Sequence, residues 1–139
     1  MNGKLNEMIN FELLRLVNVL LHSSYHFIFL RTVCNDLNMN GMSWFSEKKD
    51  NKCRDSAVKI LNWIQKDGGY IEFADIAQPK FDESKLDGEF VFARFNDIEK
   101  WVKDNITSTQ EKIQDSEYKK KSEVLMLLEL ALSNIMSIS

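Results

Sequence analysis

The side chains able to do chemistry are few and widely spaced. His22 and His26 stand four residues apart, which puts two imidazoles on one helix face and can chelate a metal from it. No companion carboxylate completes an H-E-x-x-H pattern, so a structural or surface role is the ordinary reading of the pair. The spacing of Cys34 and Cys53 fits neither a metal-binding pair nor a disulfide framework, and they read as free thiols of a reducing compartment. Nothing orients Cys34 and His26 as nucleophile and base, and buried cysteine is common. Lys119-Lys120-Lys121 is a short basic run that reads as a solvated face. Trp44, Trp63 and Trp101 fall at apolar positions and read as core or interface anchors rather than a stacking platform for nucleic acid. Gly68-Gly69 closes a helical pattern instead of opening one, so no phosphate-cradling loop is present.

The elements that must position these groups are helices. The chain of 139 residues fits one domain, 1–139, large enough to bury a core. Five glycines and one proline are too few for a turn-rich β fold. A net charge of -3 gives no electrostatic reason to expect a nucleic-acid or anionic-membrane partner. Residues 11–30 are rich in apolar side chains, but Glu12, Arg15, Asn18, His22 and His26 interrupt them, which argues against a membrane span or a signal-peptide core. A cytoplasmic protein is the expectation.

Helical spacing predicts four helices, at about 5–33, 39–66, 83–112 and 117–138. Leu13, Leu16, Leu20 and Phe27 mark the first. Trp44, Phe45, Ile60, Trp63 and Ile64 anchor the two ends of the second, but its middle, 46–56, is nearly all polar, where a core-facing helix normally continues its stripe. Asp82 to Ser84 offers N-cap residue types for the third helix, and Thr107-Ser108-Thr109 weakens its far end. The fourth carries Val124-Leu125-Met126-Leu127-Leu128, then Leu130-Ala131-Leu132, apolar around most of its circumference. Either a well-buried helix or a subunit interface accounts for that run. The Gly-Gly stop and an irregular segment, 67–82, predict an all-α four-helix bundle with one long crossover between the second and third helices.

Several segments carry a family resemblance. Lys66-Asp67-Gly68-Gly69-Tyr70-Ile71, followed by Asp75-Ile76-Ala77-Gln78-Pro79, resembles the end of the second helix of ferritin subunits and the crossover after it. Leu16-Val17-Asn18-Val19-Leu20-Leu21-His22-Ser23-Ser24-Tyr25 is similar to the ferritin first-helix signature, especially of the light type. The segment from Cys53 to Leu61 aligns without gaps up to Gly68-Gly69, and Ile98-Glu99-Lys100 falls where the third helix carries leucine-glutamate-lysine.

The resemblance implies a ferritin-like bundle and a site for two irons held by carboxylates and one histidine. It also implies that most of those ligands are gone. The first-helix glutamate matches Leu20, the second-helix glutamate Cys53 and the histidine three residues on Ser56. Glu99 keeps the third-helix glutamate, and the fourth-helix ligand position matches Glu123 or Leu127. Glu99 and Glu123 are therefore the remnant metal positions, and no ferroxidase activity is expected. Light chains also lack this centre and use cavity-facing glutamates to nucleate ferric mineral. At those second-helix positions stand Glu47, Lys48, Asn51, Lys52 and Asp55, of which Glu47 and Asp55 are acidic. In light chains a lysine pairs with the third-helix glutamate. Lys52 is the lysine considered for Glu99, with a solvated Lys52 the ordinary alternative.

The expected role is a catalytically inactive subunit in iron storage, with iron binding by this chain alone weak or absent. Its expected partners are copies of itself or iron-oxidising ferritin chains. Compared with the family, the chain is expected to lack the N-terminal arm and the fifth helix, and its turn into the fourth helix is shorter, with Asp115 and Glu117 nearby. The alternative is an all-α interaction protein that kept the bundle and lost iron chemistry.

Overall fold

A computed structural model describes residues 6–137. Among them are four α-helices and one 3-10 turn, with no strand: α1 Glu7–Asp36, α2 Asn40–Lys66, α3 Gly88–Gln114 and α4 Lys121–Met136. The expected outer ends at residues 5 and 138 lie outside the described residues.

Local chemistry explains each boundary. The Asn6 side chain accepts the Met8 and Ile9 N–H groups at 2.9 and 3.3 Å, which satisfies two of the orphan donors at the start of α1. Between α1 and α2, Asn38 sits at φ 58, a conformation asparagine tolerates better than most residues. At the end of α2, Gly68 takes φ 77. Its N–H bonds the Gln65 carbonyl at 3.3 Å and the Gly69 N–H reaches the Ile64 carbonyl at 2.9 Å. This paired closure satisfies the last carbonyls of the helix and requires the left-handed residue that glycine supplies.

Two predicted starts shift along the chain. Asp82 accepts the Ser84 N–H at 3.0 Å but caps just the 3-10 turn Glu83–Lys85. A second aspartate, Asp87, in extended conformation, caps α3 by accepting the Phe90 N–H at 2.9 Å. The fourth helix begins at Lys121 rather than near residue 117. Tyr118 and Lys120 are both drawn to the Asp67 carboxylate, at 2.8 and 2.9 Å, which holds the preceding residues out of helical register. Thr107-Ser108-Thr109 does not weaken α3. Thr109 is buried and its hydroxyl accepts an Arg15 N–H at 2.9 Å.

The helices pack in a ring. α1 lies against α2 and α3, and α4 against α3 and α2, with no comparably extensive contact across either diagonal. The core draws on all four helices, with Leu13, Leu16, Leu20 and Phe27 from α1, Ala57, Ile60 and Ile64 from α2, Val102 and Ile106 from α3, and Val124, Leu128 and Ile135 from α4. By length and composition α1 could cross a membrane, and half of its apolar window is buried inside the fold. α4 buries one face, through Val124, Leu128, Ala131 and Ile135, while Met126 and Leu130 are each about two-thirds exposed.

The connection from α2 to α3 touches α1 at three points in order. The Asn10 side chain donates to and accepts from the Tyr70 backbone, both at 3.1 Å. The His22 Nε2 accepts the Ala77 N–H at 3.2 Å, and the Phe29 and Phe81 rings stack at 4.3 Å. From Asn10 to Phe29 the helix rises about 28 Å.

Candidate functional site

The polar middle of α2 faces inward. Its buried residues are Ser46, Lys49, Asp50, Cys53, Ser56, Ala57, Ile60 and Ile64, one unbroken stripe at three- and four-residue steps. The stripe therefore continues through the polar gap, with polar side chains in place of apolar ones.

Buried charges require partners, and these have them. The Lys49 Nζ lies 2.8 Å from Glu99 Oε2 on α3, with 4% of the lysine side chain and 28% of the glutamate side chain exposed. Lys49 also donates to the Ile135 carbonyl near the end of α4. Asp50 accepts the Ser24 hydroxyl of α1 and pairs with Arg54 at 2.6 Å, one turn along its own helix. Four helices thus meet at one polar cluster. Cys53 lies among these charges. Burial pushes its thiol up to about 12, Lys49 acts against that shift, and Asp50 and Glu99 add to it. At neutral pH Cys53 is a neutral thiol, the weakly nucleophilic form.

Of the residues singled out in the sequence, Glu99 belongs to this cluster and Cys53 lies beside it. Leu20 and Cys53 are fully buried, Ser56 is buried and Leu127 is half-buried. Glu123 is exposed in the first turn of α4, Asp55 is exposed and Glu47 is half-buried, and no metal-holding group of three such side chains forms around them among the described residues. Lys52 does not take Glu99. Its ammonium donates to the Ser137 carbonyl at 3.1 Å and the Ser137 hydroxyl at 2.8 Å, and Lys49, three residues earlier, occupies the glutamate. Both lysines thus supply cationic donors at the C-terminal end of α4, where the helix dipole favours them. Lys121 caps α3 in the same way, donating to the Gln114 and Ser116 carbonyls. Cys34 is buried in a separate apolar cluster with Val33 and Val91, and burial raises its pKa although the Ser46 hydroxyl acts the other way.

Sequence reasoning missed Lys49 and Asp50. Stepping back from Ile64 through Ile60, Ala57 and Cys53 by threes and fours arrives at both, so the helical period held the signal.

A pair of iron ions does not fit these residues. Such a site needs several free oxygen or imidazole donors, and the two carboxylates of the cluster are already paired, Glu99 with Lys49 and Asp50 with Arg54, while the neighbouring Cys53 and Ser56 offer a neutral thiol and a hydroxyl. Among the described residues no group of three or more His, Cys, Asp or Glu side chains is placed to hold a metal ion. A second charged cluster, between α1 and α3, is structural: Glu12 pairs with Lys112 at 3.1 Å and Arg15 at 3.5 Å, and Arg15 reaches Asn105 at 2.8 Å. No protein-family model and no curated protein matches this chain.

Proposed function

We propose that the protein is a ferritin-like subunit that does not oxidise iron and serves iron storage as a structural member of an oligomeric shell. The observation that carries the reading is the Lys49–Glu99 ion pair, which puts a cation where the resemblance places iron ligands. A buried ammonium group repels ferrous ions and occupies Glu99, while Arg54 occupies Asp50, the other carboxylate of the cluster.

The path of the connection supports the ferritin-like part. It leaves α2 beside the start of α1 and reaches Phe29 near the far end before α3 begins. A short turn makes α1 and α2 antiparallel, so a return along α1 makes α2 and α3 parallel, as expected of a bundle with one long crossover. Exposed apolar side chains support assembly. Phe11 on α1, Tyr70 and Phe73 on the connection, and Met126 and Leu130 on α4 are each about two-thirds exposed.

Ferrous iron oxidation in air tests the catalytic part. The chain alone should oxidise ferrous iron no faster than buffer, and particles co-assembled with an iron-oxidising ferritin chain should retain iron. Acceleration by the chain alone would overturn the reading. The exposed Met126 and Leu130 also favour a second reading, an all-α interaction protein that binds a partner through α4 and has no part in iron storage.

A further inference from the structure

A concavity of about 420 Å³ opens between α1 and α3, within the size range of small-molecule sites. Its lining is His22 and His26 from α1, with Arg94, Asp97, Ile98 and Trp101 from α3. None of these side chains takes part in the Lys49–Glu99 cluster. Ile98 is buried and gives the site an apolar wall. The His22 ring meets the Trp101 indole edge-on with centroids 6.2 Å apart, and lies against His26 at 6.3 Å.

Its polar groups are incompletely used. The Arg94 guanidinium donates to the Lys80 carbonyl at 2.8 Å and lies over the Phe90 ring, but no acid pairs with it among the described residues. Asp97, three residues on, is exposed at the rim and has neither an ion-pair nor a hydrogen-bond partner among the described residues. The buried Nδ1 of His26 also lacks a hydrogen-bond partner, an arrangement that costs free energy until something supplies one. Burial, Arg94 and His22 all hold the His26 pKa below its ordinary value, so this ring is neutral at physiological pH. Two imidazoles beside a guanidinium disfavour a metal cation, and the exposed Asp97 gives the rim an acid that a simple anion would not use.

We propose that this concavity binds a small aromatic zwitterion of the α-amino acid class. The ligand's carboxylate meets Arg94, its ammonium group meets Asp97, and its ring packs against His22, Ile98 and Trp101. Residues three apart on a helix are surface neighbours, so Arg94 and Asp97 open on the same concavity. This inference does not depend on the iron-storage reading.

Isothermal titration of the full chain with L-phenylalanine tests it, with 3-phenylpropanoate and phenethylamine as probes carrying one charge each. Saturable binding is expected for L-phenylalanine, and weaker binding for both single-charge probes. Arg94→Gln and Asp97→Asn should each weaken L-phenylalanine binding by about tenfold or more, with circular dichroism unchanged. Absence of saturable binding up to about 10 mM would overturn the proposal. So would equal affinity for all three probes, or an affinity for L-phenylalanine unchanged in both variants.

Discussion

The Lys49 ammonium group has two acceptors, Glu99 and the Ile135 carbonyl, and almost no water. Removing one partner of a buried pair costs more than replacing both, because the survivor stays desolvated. The two partners are not equivalent. Glu99→Gln leaves a cation with 4% of its side chain exposed, whereas Lys49→Met leaves a carboxylate with 28% exposed that water can reach. Glu99→Gln should therefore cost about 3 kcal/mol and Lys49→Met about 1 kcal/mol, measured by urea denaturation. The double variant Lys49→Met with Glu99→Leu should lie close to wild type. Equal costs for the single variants would mean that the Ile135 carbonyl, not Glu99, is the principal partner. At this scale the sequence was half legible. The sequence singled out Glu99, but whether Lys49 or Lys52 reaches it depends on which side of α2 faces α3, and a polar stripe carries no hydrophobic signal to reveal it.

Helix boundaries depend on capping groups, some of which come from distant parts of the chain. Gly68 holds φ 77 so that the Gly69 N–H can reach Ile64, and Gly68→Ala should lower stability by about 1 kcal/mol, read as a shift in the urea midpoint. The Gly-Gly stop was readable because a local backbone requirement dictates it. The late start of α4 was not, because it follows from Asp67, about fifty residues earlier, holding Tyr118 and Lys120. Burial alone would raise the Asp67 carboxyl, but hydrogen bonds from Lys120 and Tyr118 prevail and hold its pKa below the ordinary value. A lowered folded-state pKa means that the native state favours the ionised carboxylate. Its contribution is therefore present above the unfolded value of about 3.9 and is lost as pH falls through the folded value. Asp67→Asn should be less stable than wild type at pH 7, and the gap should close in acid. A gap independent of pH would assign the effect to packing instead. Lys120 is half exposed, which keeps that gap small.

At the scale of the whole molecule, four helices close a ring around one main core, and the all-helical class was legible from composition and period alone. The apolar circumference of α4 pointed to a well-buried helix or an interface. The fold buries one face and leaves Met126 and Leu130 in solvent. Phe11, Tyr70 and Phe73 add apolar surface at the start of α1 and on the connection, much of it around a groove of about 850 Å³. Closed symmetric assembly is a common way to cover such surface. The mass of the purified protein in solution, alone and co-expressed with an iron-oxidising ferritin chain, tests the central claim most directly. A particle of about two dozen subunits in at least one of the two preparations is the predicted result. A monomer or dimer in both would contradict it and leave the bundle as an interaction protein outside any shell.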